Sequence, residues 1–259
     1  MNVILASSSP RRLELIQRLG WEAKVFPAPF AEVKTAAEVE QQLAGAFAKP
    51  EAEVKQPPEE ASAQPAALVE TKTTAKDTAA PEREVSESSS SCRFTGQELF
   101  LLNHYKGVDA VPAYNALGKA KAAACVTGDR EPVIGADTVV IAENRILGKP
   151  RHKAEAKEML RLLSGNTHQV KTAAVILYQG QVRLRVVTTS VTFRVLTEDE
   201  IALYVADGEP MDKAGAYGIQ GKGSVLVRHI EGNYDNVVGL PLTDVYEMLQ
   251  ELMDRALLS

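Results

Sequence analysis

The stretch QVKTAAVILYQGQVRLRVVTTSVTFRVL, residues 169–196, constrains the fold more than any other part of the chain. It is dense in β-branched residues, carries no proline and has one turn signal, Gln179-Gly180. That pattern predicts a long β-ribbon folded back on itself at the Gln-Gly step. The flanking text supplies partners for it. Asn2 to Ala6 reads as a buried strand, and PVIGADTVVIAE is an apolar β-rich run broken by one carboxylate, Asp137. Val225 to Ile230 reads as a further strand. Helical spacing recurs in between. Leu13, Ile16 and Leu19 lead to a stop at Gly20, and KAEAKEMLRLLSG is amphipathic with a glycine stop. NALGKAKAAAC reads as a helix, TEDEIALYV opens with the capping box Thr197/Glu200, and Pro241 to Leu258 reads as a closing helix. No repeat is evident. The expectation is a mixed α/β fold.

One segment does not fit. From about Val33 to Ser91 the text is rich in Ala, Glu, Pro, Lys, Ser and Thr and poor in aromatics. Such composition buries too little apolar surface to offset chain entropy, so disorder is the expectation, with a bound-state helix in AAEVEQQLAGAFAK as the exception. The 259 residues then read as one domain, 1–259, interrupted by a low-complexity insertion at about 34–91. Outside it, the 45% hydrophobic content supplies a sizeable core. The net charge of −5 argues against a broad nucleic-acid-binding surface, while leaving room for a local basic pocket. No run is long enough to span a bilayer, and the N-terminal apolar run is too short for a signal peptide. Cys92 and Cys125 have no metal-ligand spacing and read as thiols of a soluble, cytoplasmic protein.

Chemistry concentrates in three places. LASSSPRRLELI puts Ser7, Ser8, Ser9, Pro10, Arg11 and Arg12 at the start of a helix. A serine cap with proline at the first position is sound helix chemistry, and exposed N–H groups with an arginine also favour an anion. The P-loop pattern is absent. In GADTVV, Asp137 is costly unless it is paired, bound to metal or faces a cleft, a strand-end turn being the plain alternative. LGKP follows at a distance that suits a hairpin carrying Lys149 back toward Asp137. Third, EPMDKAGAYGIQGKG, Glu209 to Gly223, crowds glycines with Asp212, Lys213, Tyr217 and Gln220, as in a binding loop. NVVGLPL reads as a loop that positions the last helix, and His168 as a turn or core histidine.

In their order, LASSSPRRLELI, GADTVV, LGKP, LSGNTHQVKTAAV, DKAGAYGIQGKG and NVVGLPL resemble the Maf family of nucleoside triphosphate pyrophosphatases. The resemblance implies an elongated, twisted mixed β-sheet flanked by helices with a central cleft, like that of inosine triphosphatases. It implies hydrolysis between the α- and β-phosphates, giving a nucleoside monophosphate and pyrophosphate. Asp137 matches the family's general base. Arg11, Thr138 and Gln220 match positions of substrate choice, in the form of the branch acting on dTTP and UTP. Ser7, Arg12, Glu32, Lys119 and Lys149 match further polar positions of the pocket. On that basis Arg12, Lys119 and Lys149 would hold the triphosphate. A divalent cation, magnesium or manganese, is implied, with Glu32 and Asp137 as candidate ligands, so Asp137 serves either proton or metal. The resemblance also extends to a homodimer. Two competing readings are a septum-formation-related binding protein with little catalysis, and a broad pyrophosphatase for modified nucleotides.

Overall fold

The computed structural model of the chain describes residues 1–47 and 93–256. In chain order the elements are β1 (Asn2–Leu5), α1 (Pro10–Arg18), β2 (Glu22–Val25), α2 (Ala36–Phe47), α3 (Gly96–Leu102), α4 (Ala110–Thr127), β3 (Val133–Ala142) and β4 (Arg145–Leu147). Then come α5 (Lys153–Leu163), β5 (Thr167–Tyr178), β6 (Gln181–Phe193), α6 (Glu198–Asp207), β7 (Val227–Glu231), α7 (Tyr234–Val238) and α8 (Leu242–Ala256). The strands form one seven-stranded mixed sheet ordered β2-β1-β3-β5-β6-β7, with β4 added alongside β3. The β1–β2 and β1–β3 pairs are parallel, and the rest are antiparallel.

The expected ribbon is β5 and β6, in register from Tyr178↔Gln181 to Thr167↔Thr192. Gln179 and Gly180 both have positive φ, 49° and 73°, the two-residue turn whose twist matches that of the strands. Two apolar layers cover the sheet. Ile134, Ala136 and Val140 of β3 pack with residues of α1, α5 and α8, whereas Val133, Val139 and Ile141 pack with α2 and α4. This alternation is the period-2 pleat of a strand buried on both faces. Helix α4 lies close to β3 because Gly135 has no side chain. A Cβ there would sit 2.3 Å from the Ala116 carbonyl oxygen.

Several expectations change. The segment read as insertion from about 34 is ordered at its start: α2 buries Val39 and Leu43 in the α4-side layer. Tertiary packing of two apolar residues outweighs a weak local composition there. The rest of that segment, with Cys92, lies outside the described residues. Helix α3 follows before α4, capped by a Thr95/Glu98 capping box absent from the sequence reading. The strand expected from Val225 begins at Val227, because Lys222–Leu226 forms a 3-10 turn. The Thr197/Glu200 capping box is present as expected. Among the described residues no helix is long and apolar enough to cross a membrane.

His168 is a core residue. It is 2% exposed, its Nε2 lies 2.9 Å from the Tyr217 hydroxyl, and its ring meets Phe193 edge-on. Burial pushes its imidazole down from 6.5 to about 4. The unfolded chain therefore binds more protons between those values, and stability falls as pH drops from about 6.5 to about 4. The expected loss is about 3 kcal/mol across that window. Urea unfolding at pH 7 and pH 4 should show His168→Gln lacking this part of the wild-type decline. An equal decline in both proteins would contradict the assignment.

Candidate active site

The site opens where the sheet is incomplete. Strand β1 pairs with β3 at Ile4↔Val133 and Leu5↔Ile134 and then ends. Strand β4 begins only at Val140↔Leu147. Between these points, among the described residues, 135–139 pair with β5 alone, leaving one side of β3 open. Asp137 and Thr138 lie in this gap, and the pleat sends their side chains to opposite faces.

Asp137 points toward α4 and is 9% exposed. Its Oδ1 lies 2.7 Å from Lys119 Nζ, and its Oδ2 accepts a 3.1 Å bond from Asn115 Nδ2. The strand-end turn reading therefore fails: Asp137 is mid-strand, opposite Ala173, and partnered by side chains. Lys119 Nζ is also 2.7 Å from Glu32 Oε1, so two carboxylates converge on one ammonium. Burial pushes the Glu32 carboxyl up, but the hydrogen bond and charge of Lys119, with Lys149 and Arg12 behind it, hold it below its ordinary value.

Asn115 went unnoticed in the sequence. It is 3% exposed, and its amide pairs with the Val33 peptide, accepting from Val33 N at 2.9 Å and donating to Val33 O at 3.0 Å. It thus ties the segment bearing Glu32 to Asp137. The available signal was its spacing: Asn115 stands four residues before Lys119, on the same helical face. Asn115→Ala leaves the Val33 peptide groups unpaired. Thermal denaturation should show a loss of about 2 kcal/mol, and kcat should fall about tenfold. Wild-type values for both would mean that the amide positions nothing.

On the other face Arg12 is held by three bonds. Nε donates to Gly239 O at 2.8 Å, Nη1 to Ser7 Oγ at 3.1 Å and Nη2 to Thr138 Oγ1 at 3.1 Å. The direction of the next links follows from hydroxyl chemistry. Thr172 gives its only proton to Asn236 O, so it must accept from Thr138, 2.9 Å away. Thr138 then has no proton left for a ligand. Asn236 is fully buried, donating to Val170 O and Thr189 Oγ1 and accepting from Thr172 N. NVVGLPL therefore does more than position α8: through Asn236 and Gly239 it fixes Arg12. Burial pushes the Arg12 guanidinium below its ordinary value and Arg11 adds to this, while Asp137 and Glu32 oppose it. The cap differs from expectation as well. Ser9 is the N-cap but makes no side-chain cap bond, and Ser7 Oγ accepts from Ser9 N instead.

The hairpin of β3 and β4 brings LGKP back as expected. Lys149 is exposed, and its charge acts on Glu32. The glycine-rich loop docks beside it, with Gly215 N donating to Gly148 O at 3.1 Å. Asp212 of that loop is held below its ordinary carboxyl value: burial opposes the shift, and Lys213 and then Arg11 drive it. Arg11 thus lies within electrostatic reach of the loop that carries Gln220, which is exposed. Among the described residues Arg11, Arg12, Lys119, Lys149 and Lys213 outnumber Glu32, Asp137 and Asp212, so an acidic chain carries a locally cationic cleft. Among the described residues no three His, Cys, Asp or Glu side chains gather into a metal-ligating group.

The fold and this cleft define an α/β protein with a cationic, carboxylate-bearing site at a break in a mixed sheet. The chain belongs to the Maf family: the Maf-like protein model matches residues 98–252, more than half of it. Among similar curated proteins are the dTTP/UTP pyrophosphatases of Salmonella typhimurium, 54% identical over 131 residues, and of Bacillus anthracis, 54% identical over 136. That of Escherichia coli O157:H7 is 53% identical over 131 residues. These matches cover 51%, 52% and 51% of this chain and 66%, 71% and 66% of the respective relatives.

Proposed function

We propose that this protein hydrolyses nucleoside triphosphates, dTTP and UTP foremost, between the α- and β-phosphates, releasing the monophosphate and pyrophosphate. The observation that carries this reading is the convergence of Asp137, Glu32 and Lys119 beside Arg12 in a locally cationic gap of the sheet. Kinship with proteins named dTTP/UTP pyrophosphatase supports the substrate class.

In this mechanism water attacks the α-phosphorus in line with the departing pyrophosphate. Asp137 accepts the proton of that water, held in orientation by Asn115 and Lys119. Lys119 and Lys149 meet phosphate oxygens as point charges. Arg12 spends three of its five N–H groups on the protein and keeps one on each terminal nitrogen for phosphate. The backbone N–H groups of the first turn of α1 add dipolar stabilisation. Glu32 and Asp137, which converge on Lys119, would be the carboxylates to hold a divalent cation, since magnesium commonly takes one or two carboxylates with substrate phosphates. Such an ion, when bound, neutralises phosphate charge and stabilises the leaving group. Arg11 and Gln220 would select the nucleotide. Thr138, its proton committed, would contribute through Arg12.

The test is pyrophosphate release from a panel of canonical and modified nucleotides, with magnesium or manganese. Release mainly from dTTP and UTP is expected. Comparable release from modified nucleotides would favour a broad pyrophosphatase, and none from any nucleotide would favour a binding protein.

A further inference from the structure

The glycines between 218 and 223 suggested a backbone that approaches a ligand. Their surroundings point inward instead. Tyr204, buried on α6, donates its hydroxyl to Glu209 Oε1 at 2.9 Å and accepts from Gly218 N at 3.2 Å. Glu209 Oε2 accepts from Lys222 N at 2.9 Å, and Oε1 from Gly223 N at 3.3 Å. One phenol–carboxylate pair therefore holds both ends of the loop, and Gln220 stands at the exposed tip between them. Gly221 lies directly over the carboxylate: a Cβ there would sit 2.5 Å from Glu209 Oε1. A side chain at 221 would press on this carboxylate, and glycine lets the loop close on its own anchor.

This bears on base selection. A glutamine amide presents a donor and an acceptor, and a half-turn exchanges them. Uracil offers an acceptor at O4 and a donor at N3, whereas cytosine offers the reverse. A freely placed amide satisfies both, and only a fixed one discriminates. We propose that Tyr204 and Glu209 are positioning residues for specificity: their clamp on the 218–223 loop sets Gln220 against the base. The proposal rests on the nucleotide-pyrophosphatase reading above. Neither residue lies among the groups assigned to phosphate or water.

The experiment compares kcat and KM for UTP and CTP in wild type, Tyr204→Phe, Glu209→Gln and Gln220→Ala, with melting curves for each. Tyr204→Phe keeps the packed ring and removes the hydroxyl. Glu209→Gln, at a half-buried position, covers the case in which the Tyr204 variant fails to fold. The expected result is a fall of about tenfold in the UTP-to-CTP ratio of kcat/KM in each clamp variant. The change is carried by KM for UTP, with kcat for UTP within about threefold of wild type. A ratio within twofold of wild type in a folded clamp variant overturns the proposal, as does an equal loss on both nucleotides. If Gln220→Ala alters the ratio and the clamp variants do not, the clamp fails alone. If only the clamp variants alter it, Gln220 is not the base reader, and the positioning of Gln220 falls. A wild type that hydrolyses neither nucleotide removes the underlying reading and the proposal with it.

Discussion

Asp137→Asn is expected to lower kcat by at least about a thousandfold, in a protein that stays folded and still binds nucleotide. The substitution keeps the shape of the side chain. It removes the negative charge that meets Lys119 at 2.7 Å and the basic oxygen that would take a proton from water. Asn115 and Lys119 both donate to this side chain, and an amide oxygen beside an amide NH₂ leaves one of those donors poorly matched. That mismatch costs about 1–3 kcal/mol of stability, too little to explain a thousandfold loss at a temperature where the protein is folded. Circular dichroism and nucleotide binding, measured beside turnover, separate the two effects. Near-wild-type dTTP hydrolysis would remove Asp137 from the chemistry.

Arg12→Lys should have the next largest effect, a fall of about 10²–10³ in kcat/KM, close to equal for every triphosphate. The guanidinium fork reaches Gly239 O, Ser7 Oγ and Thr138 Oγ1 at once. An ammonium is a single point on a flexible stem, and it cannot satisfy all three while still facing phosphate. The Thr138–Thr172–Asn236 relay then loses the donor at its head. Uniformity across nucleotides is the discriminating feature, because Arg12 is assigned to phosphate and Gln220 to base. Steady-state kinetics with dTTP, UTP and CTP decide it. A loss confined to one base would reassign Arg12 to selection.

What the sequence made legible follows from how local each signal is. The Gln179-Gly180 turn and the Thr197 capping box are set by residues within a few positions of one another, the ribbon follows from the turn and the β-branched runs on either side of it, and all three are present. Asp137 stood out because a carboxylate in an apolar strand needs a reason, and Lys119 and Asn115 provide it. Asn115, Asn236 and Tyr204 left no comparable mark. The Asn115 and Asn236 partners Val33 and Val170 lie 82 and 66 residues away, a pairing that no local pattern encodes. Helix α2 was legible only as a bound-state helix in AAEVEQQLAGAFAK, because its composition resembles a linker and its stability comes from Val39 and Leu43 packed in the α4-side layer. The glycine-rich loop reads as a binding loop, but within it Gly221 closes over the loop's own Glu209 anchor.

The central claim is that water attacks the α-phosphorus in the gap beside Asp137. Turnover of dTTP in ¹⁸O-labelled water, with mass analysis of both products, tests it most directly. The account predicts one ¹⁸O in thymidine monophosphate and none in pyrophosphate. Label in the pyrophosphate, or release of thymidine diphosphate and inorganic phosphate, would contradict it.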